Sequence, residues 1–112
     1  METTGPGELA RVYVGESDHW HVKALYTAIV ERARAEGLAG ATVTRGVAGF
    51  GASSRIHTAS ILLLSEDLPI RIESVDSEER IARFLPLLAE TVTESLITVQ
   101  DCEVVKHSHE GA

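Results

Sequence analysis

The first half of the chain alternates between strand-like and helix-like patterns of apolar residues. Residues 9–15 are rich in β-forming residues, and residues 38–47 form a second run rich in valine and threonine, so both predict strands. Between them, residues 16–37 carry apolar positions at helical spacing, namely Val22, Leu25, Ile29 and Ala33. This stretch predicts a helix that is capped by Ser17 or Asp18 and stopped by Gly37.

The second half repeats the alternation after a glycine-rich loop. Ile70 and Ile72 alternate with charged neighbours, as in a strand buried on one face, whereas the short apolar run 61–64 fits a strand or a helical turn. Residues 76–92 predict a second helix, and residues 96–105 a final strand or strand pair. The helix has a capping-box-like pair, Asp76 and Glu79, and an apolar stripe of Ile81, Phe84, Leu85 and Leu88. Pro86 lies within that stripe and predicts a kink or an early end.

The order of elements predicts an α+β fold, a ferredoxin-like βαββαβ sandwich with both helices on one face of the sheet. We expect a flexible leader over 1–8, one domain over 9–106 and a polar tail over 107–112. The second face of the sheet stays open in such a short chain. On the first strand, apolar residues point to both faces, with Leu9 and Tyr13 on one and Ala10, Val12 and Val14 on the other. Oligomerisation is the expected solution.

Composition and charge narrow the classes of function. The chain has 112 residues, 44% of them hydrophobic, and a formal net charge of −7, which disfavours general nucleic-acid binding and anionic membrane surfaces. A small anionic ligand remains compatible with a local cluster of donors. The single cysteine, Cys102, excludes an intramolecular disulfide, and the N-terminal residues do not form a signal peptide, so we expect a cytoplasmic protein.

The loop "GVAGFGASSRIHT" (46–58) is the main candidate for ligand binding. Its glycines follow a G-x-x-G-x-G pattern, which is not the dinucleotide fingerprint. Glycines let a backbone approach a ligand closely and let successive N–H groups bind an anion. Ser53 and Ser54 add hydroxyl donors, Arg55 adds a fork suited to phosphate or carboxylate, and His57 lies beside it. The same residues also fit a turn between strands.

Metal binding and catalysis find less support in the sequence. Glu16, Asp18, His19 and His21 offer metal donors, but histidines two residues apart do not align on a helix face. A capped helix start, with Trp20 at a subunit seam, explains this segment more simply, and His107 and His109 lie in the polar tail. Cys102 has no basic neighbour in the sequence, and the sequence shows no recognisable Ser/His/Asp catalytic set. We therefore expect that the protein is not an enzyme.

Two segments resemble a known family: "RVYVGESDHWHVKALYTAIVERARAEGLAGATVTRGVAGFGASSRIHT" and "LSEDLPIRIESVDSEERI". They resemble the DUF190 (UPF0166) family of small bacterial and archaeal proteins, over about residues 9–105. That family is itself similar to the PII signal-transduction proteins. The shared features here are "GLAGATVTRGVAGFG", which leads into the loop, and "DLPIRIESVD", which leaves it.

The resemblance implies a PII-like homotrimer that binds a small anionic metabolite, most plausibly an adenine nucleotide, in the clefts between subunits. The long loop between strands two and three, roughly Gly49 to Asp67, would then regulate a partner such as a membrane transporter or channel. The resemblance places Gly46, Gly49, Phe50 and Gly51 at the base of this loop. Together with the donors named above, the predicted ligand-binding residues are Gly46, Gly49, Phe50, Gly51, Ser53, Ser54, Arg55 and His57. PII proteins hold a triphosphate with a glycine-rich loop, a lysine and arginines near the chain end. This chain has "ESLITVQDCEVVKH" there, which disfavours ATP binding of the PII type.

The sequence therefore predicts a trimeric sensor of a small molecule. Two alternatives stay open. One is a divalent-metal-binding trimer similar to CutA, using His19, His21 or the tail histidines. The other is an interaction module that needs no ligand.

Overall fold

A four-stranded antiparallel sheet forms the centre of the structure, a computed structural model that describes residues 4–49 and 68–108. The strands are β1 (Gly5–Gly15), β4 (Gly40–Arg45), β5 (Pro69–Ser77) and β6 (Leu96–Val104), and a small hairpin of β2 (His19–Trp20) and β3 (Lys23–Ala24) follows β1. The sheet order is β4-β5-β1-β6. With α1 (Leu25–Ala35) and α2 (Glu78–Thr91), this order confirms the predicted ferredoxin-like α+β fold.

Both helices pack on the same face of the sheet and build the core there. α1 buries Leu25, Ala28, Ile29 and Ala33, and α2 buries Ile81, Phe84 and Leu88. They cover the alternate strand positions that point towards them, among them Val12, Val14, Ile70 and Ile72. The predicted alternation of β5 is confirmed.

The register of β1 assigns each side chain to a face, because directly paired residues of neighbouring strands share one. Ala10 and Val12 lie under the helices and are buried. Leu9 is paired with Val75 and Gln100, and Tyr13 with Arg71 and Leu96, on the opposite face. No helix of the described residues covers that face, which is called the open face below. Leu9 and Tyr13 remain half-buried there.

The predicted start of the first helix is wrong. α1 begins at Leu25, after Ala24, and neither Ser17 nor Asp18 caps it. Residues 19–24 form the small hairpin instead, because His21 adopts the left-handed backbone conformation (φ 56°) and reverses the chain. Val22, predicted to belong to the apolar face, is 96% exposed at the hairpin tip. The predicted end is confirmed, since the chain leaves the helix at Gly37 with φ 74°.

The second helix corrects two further expectations. Its N-cap is Ser77, whose hydroxyl accepts a 3.3 Å hydrogen bond from the Arg80 backbone N–H. Asp76 turns inward instead, is 1% exposed and accepts a 2.9 Å hydrogen bond from the Ala39 N–H. Pro86 does not end the helix, which continues to Thr91. Buried Phe84 and Leu88 on either side of the proline hold the helix against the sheet.

The strand boundaries also differ from the prediction. β1 begins at Gly5 rather than at residue 9, because residues 5–8 pair with the end of β6, so this part of the expected leader belongs to the sheet. β6 is one strand and not a pair. The run 61–64 lies outside the described residues.

Candidate functional site

The loop base is the place where β4 ends and β5 begins, and it holds the two described glycines of the predicted ligand loop. Gly46 donates its backbone N–H to the Pro69 carbonyl over 2.7 Å. A Cβ at this position would lie 2.9 Å from Pro69 Cγ and 3.3 Å from Pro69 O. Position 46 therefore has no room for a side chain, and glycine is required by the close approach of the two strands.

Gly49 is needed for a different reason. Its φ is +138°, a conformation that residues with a side chain rarely adopt, and an added Cβ would lie 3.7 Å from Pro69 Cγ. The turn after β4 therefore needs glycine at position 46 because there is no space for a side chain, and at position 49 because of the backbone conformation. The other predicted ligand residues, Phe50, Gly51, Ser53, Ser54, Arg55 and His57, lie outside the described residues.

Glu16 links both ends of the loop base. Its backbone N–H donates a 2.8 Å hydrogen bond to the carbonyl of Leu68, just before β5. Its carboxylate accepts a hydrogen bond from Nη2 of Arg45, the last residue of β4. The Arg45 side chain is 62% exposed and that of Glu16 is 21% exposed. One residue after β1 therefore contacts the chain on both sides of the loop.

Sequence reasoning missed Arg45 and assigned Glu16 to a different site. Arg45 directly precedes Gly46, so its position beside the loop was legible in the sequence. Its partner was not, because the two residues are 29 positions apart. A basic residue immediately before a glycine turn is the signal that could have identified it.

The donors proposed for a metal after β1 are used in other ways. Asp18 accepts a 2.8 Å hydrogen bond from the Gly15 N–H, and Glu16 pairs with Arg45. His19 donates from Nδ1 to the Ser17 carbonyl over 2.6 Å, and the His21 ring lies edge-on to Trp20 with centroids 4.2 Å apart. These side chains do not converge.

His107 belongs to no group of three or more potential metal ligands among the described residues. The Nδ1 atom of His107 is buried and has no hydrogen-bond partner within residues 4–49 and 68–108. His109 lies outside those residues.

Three carboxylates meet at the opposite end of the sheet. Glu8, Glu78 and Asp101 each place an oxygen within 4.8 Å of the others, the only such group of potential metal ligands among the described residues. Partial burial of Glu8, followed by the charges of Glu78 and Asp101 and a hydrogen bond to Asp101, raises the pKa of Glu8 above its ordinary value of 4.5. Glu8 is also paired in register with buried Asp76.

Glu8→Gln is expected to raise the melting temperature at pH 7. Because the pKa of Glu8 is raised in the folded chain, its protonated form favours folding, and this contribution is lost as the pH rises through that pKa. The gain from the substitution should therefore shrink as the pH falls towards 4.5. Thermal unfolding at several pH values tests this, with Glu90→Gln on exposed α2 surface as the control. A less stable Glu8→Gln protein at pH 7 would contradict it.

The open face carries its own electrostatic network. Arg11 donates to Glu73 from Nε over 2.6 Å and to Gln100 from Nη1 over 2.8 Å. The hydrogen bond from Arg11 is the main cause of a lowered Glu73 pKa, with the charge of Arg71 adding to it. Arg11 and Glu73 are therefore hydrogen-bonded to each other, whereas the buried Nε atom of Arg71 has no hydrogen-bond partner among the described residues.

None of the described helices is both long enough and apolar enough to cross a membrane.

Solved structures share this fold. A PII-like signaling protein from Thermus thermophilus is 24% identical, with a TM-score of 0.62 over 92% of this chain and 93% of that one. CPII from Thiomonas intermedia K12, bound to ADP, AMP and acetate, is 17% identical, with a TM-score of 0.57 over 93% of this chain and 91% of that one. At these identities the likeness establishes the fold.

Sequence relatives establish the family. A UPF0166 protein of Aquifex aeolicus (strain VF5) is 37% identical over 98 residues, which are 88% of this chain and 92% of the relative. A UPF0166 protein of Methanocaldococcus jannaschii is also 37% identical, over 100 residues and the same shares of the two chains. The family model DUF190, described as "Uncharacterized ACR, COG1993", matches residues 7–104. The chain belongs to the DUF190 family.

Proposed function

We propose that this protein is a PII-like homotrimeric sensor that binds an adenine nucleotide beside the loop base and acts by binding rather than by catalysis. The observation that carries the proposal is the geometry at Gly46 and Gly49. Both glycines lie against Pro69, and Arg45, whose guanidinium is largely exposed, directly precedes Gly46 in the chain. A guanidinium beside a glycine turn suits a phosphate group, because it can donate to two phosphate oxygens at once and Gly49 has no side chain to block a close approach.

The comparisons support the choice of ligand. CPII shares the fold and is described as bound to ADP and AMP. This chain carries only Lys106 where PII proteins hold a triphosphate with a lysine and arginines. ADP and AMP are therefore better candidates than ATP.

The open face supports the trimer. It presents apolar side chains beside a hydrogen-bonded polar network, and a sheet face of this kind gains stability when a second subunit covers it. The apolar residues are Leu9, Tyr13, Val75 and Leu96, of which Leu96 is 51% exposed. Burial of the Arg11–Glu73 pair in an interface costs less than burial of either charge alone, because the two side chains are already hydrogen-bonded to each other.

Isothermal titration calorimetry tests the ligand. ATP, ADP, AMP and cyclic nucleotides are each titrated with and without magnesium. We expect saturable binding near one ligand per subunit, with ADP or AMP bound more tightly than ATP. No heat with any nucleotide at about millimolar concentration, where binding is worth about 4 kcal/mol, would contradict the proposal.

Regulation of a partner completes the proposed function. The segment that follows the loop base would change its contacts on nucleotide binding and so alter its affinity for a membrane transporter or channel. Purified protein is used to capture partners from solubilised membranes with and without ADP. A specific partner whose recovery changes with ADP supports regulation, whereas recovery that ADP leaves unchanged favours a ligand-independent interaction module.

A further inference from the structure

We infer that Arg45 is an anion-binding residue of the loop base, and that a phosphate or carboxylate group of the ligand replaces Glu16 as its partner. This inference rests on the proposed function and adds a binding residue and a mechanism to it. Glu16 acts as an internal competitor, because its carboxylate pairs with the Arg45 guanidinium until an external anion replaces that carboxylate.

The position of Arg45 supports a role in binding. It is the last residue of β4 and immediately precedes Gly46, whose backbone is pressed against Pro69. Its side chain is 62% exposed, so an external anion can reach the guanidinium without any rearrangement of the core. A guanidinium presents five N–H donors in a planar fork, which matches two oxygens of a phosphate or carboxylate.

The exposure of Arg45 lowers the cost of the exchange, although the Glu16 side chain is only 21% exposed. Ion pairs at exposed positions contribute little to stability, because water and salt screen them and both side chains lose freedom. A phosphate group brings more negative charge than one carboxylate and can accept two parallel hydrogen bonds from the fork. The guanidinium therefore gains by changing partners from Glu16 to the ligand.

The exchange also reaches a second part of the molecule. Glu16 is held to the far side of the loop base through its N–H bond to Leu68. It lies two residues before Asp18, which accepts hydrogen bonds from Gly15 and, through its carbonyl, from the first residue of α1. Release of the Glu16 side chain thus removes one of the two contacts described above, which tie this segment and the following hairpin to the loop base.

Trp20 provides a probe of this movement. It is the single tryptophan of the chain and is 40% exposed in the hairpin, so its fluorescence should change when the hairpin shifts.

Substitution of each partner gives opposite effects on ADP affinity, measured by calorimetry on the full chain. Glu16→Gln removes the competitor, so ADP should bind about two- to fivefold more tightly. Arg45→Gln removes the binding group, so ADP should bind at least about tenfold more weakly. Arg45→Lys keeps the charge but loses the fork, and an intermediate loss is expected.

A second exposed pair supplies matched controls. Arg83 and Glu79 lie 3.9 Å apart on α2 with side chains 70% and 82% exposed, and their substitution by glutamine changes the net charge by the same amount. Neither control should alter ADP affinity or the ADP-dependent fluorescence of Trp20. Circular dichroism and thermal unfolding show that each variant is folded before it is titrated.

Three outcomes would overturn the inference while leaving the sensor intact, because wild-type protein would still bind ADP. The first is unchanged affinity in Arg45→Gln. The second is unchanged or weaker binding in Glu16→Gln. The third is a gain in Glu79→Gln equal to that in Glu16→Gln, which would assign the effect to net charge. Wild-type protein that binds no nucleotide would overturn the proposed function, and the inference with it.

Discussion

Leu9→Glu is expected to separate the proposed trimer into folded monomers. Leu9 lies on the open face of β1, half-buried between Val75 on one neighbouring strand and Gln100 on the other. In a trimer that covers this face, each subunit would place a carboxylate in the shared interior. Leaving a buried charge without a partner costs about 3–5 kcal/mol, and the loss occurs three times in one assembly. The helix-covered core is on the other face and should be unaffected.

Sedimentation velocity measures the outcome directly. The sedimenting mass of the wild-type protein should be about three times the chain mass of 12.1 kDa, and that of the Leu9→Glu protein should equal one chain mass. The control is Val22→Glu at the hairpin tip, where a 96% exposed side chain is replaced by the same charge. Circular dichroism should show the same secondary structure in all three proteins. A wild-type monomer would contradict the trimer, and a Leu9→Glu trimer would show that this face is not the interface.

Gly46→Ala is expected to weaken nucleotide binding at least about tenfold while the fold is retained. The added Cβ would lie 2.9 Å from the ring of Pro69, so the end of β4 must move away from β5. Overpacking of this kind typically costs about 1–3 kcal/mol. The same movement would lengthen the 2.7 Å hydrogen bond from Gly46 to Pro69 and displace Arg45 and Gly49, which form the proposed phosphate site.

The opposite end of the same strand offers a matched control. A Cβ at Gly40 would lie 3.5 Å from Val75 Cγ1, an ordinary contact, so Gly40→Ala should bind ADP as wild type does. Calorimetric titration of both variants, with melting temperatures measured beside it, separates loss of the site from loss of the fold. Wild-type affinity in Gly46→Ala would place the nucleotide elsewhere on the subunit.

The candidate site was predicted from the sequence only in part. The glycine pattern drew attention to Gly46 and Gly49, and both turn out to be required by local geometry. The ion pair that joins Arg45 to Glu16 was not foreseen, because nothing local to either residue specifies a partner 29 positions away. The sequence groups Glu16 with His19 and His21 as potential metal ligands, whereas in the structure its carboxylate pairs with Arg45.

The two helices show where pattern reasoning fails. The helical spacing of Val22 and Leu25 predicts that both lie in one long helix, yet α1 begins at Leu25 and Val22 lies outside it. The segment before α1 is held in a non-helical conformation by other hydrogen bonds. The Glu16 N–H donates to the Leu68 carbonyl, and the Gly15 N–H donates to the Asp18 carboxylate. Asp76 likewise was predicted as a cap, but its carboxylate is needed inside to satisfy the N–H of Ala39, which lies 37 residues earlier.

Features that depend on near neighbours in the chain can be predicted from the residue pattern. Alternation placed Ile70 and Ile72 on the buried side of a strand, apolar stripes gave two helices, and the order of elements gave the ferredoxin-like sandwich. Tertiary contacts, by contrast, set which residues meet at the loop base and where the first helix begins. Those outcomes depend on the sheet register, which brings distant residues together and lets their hydrogen bonds override local preference.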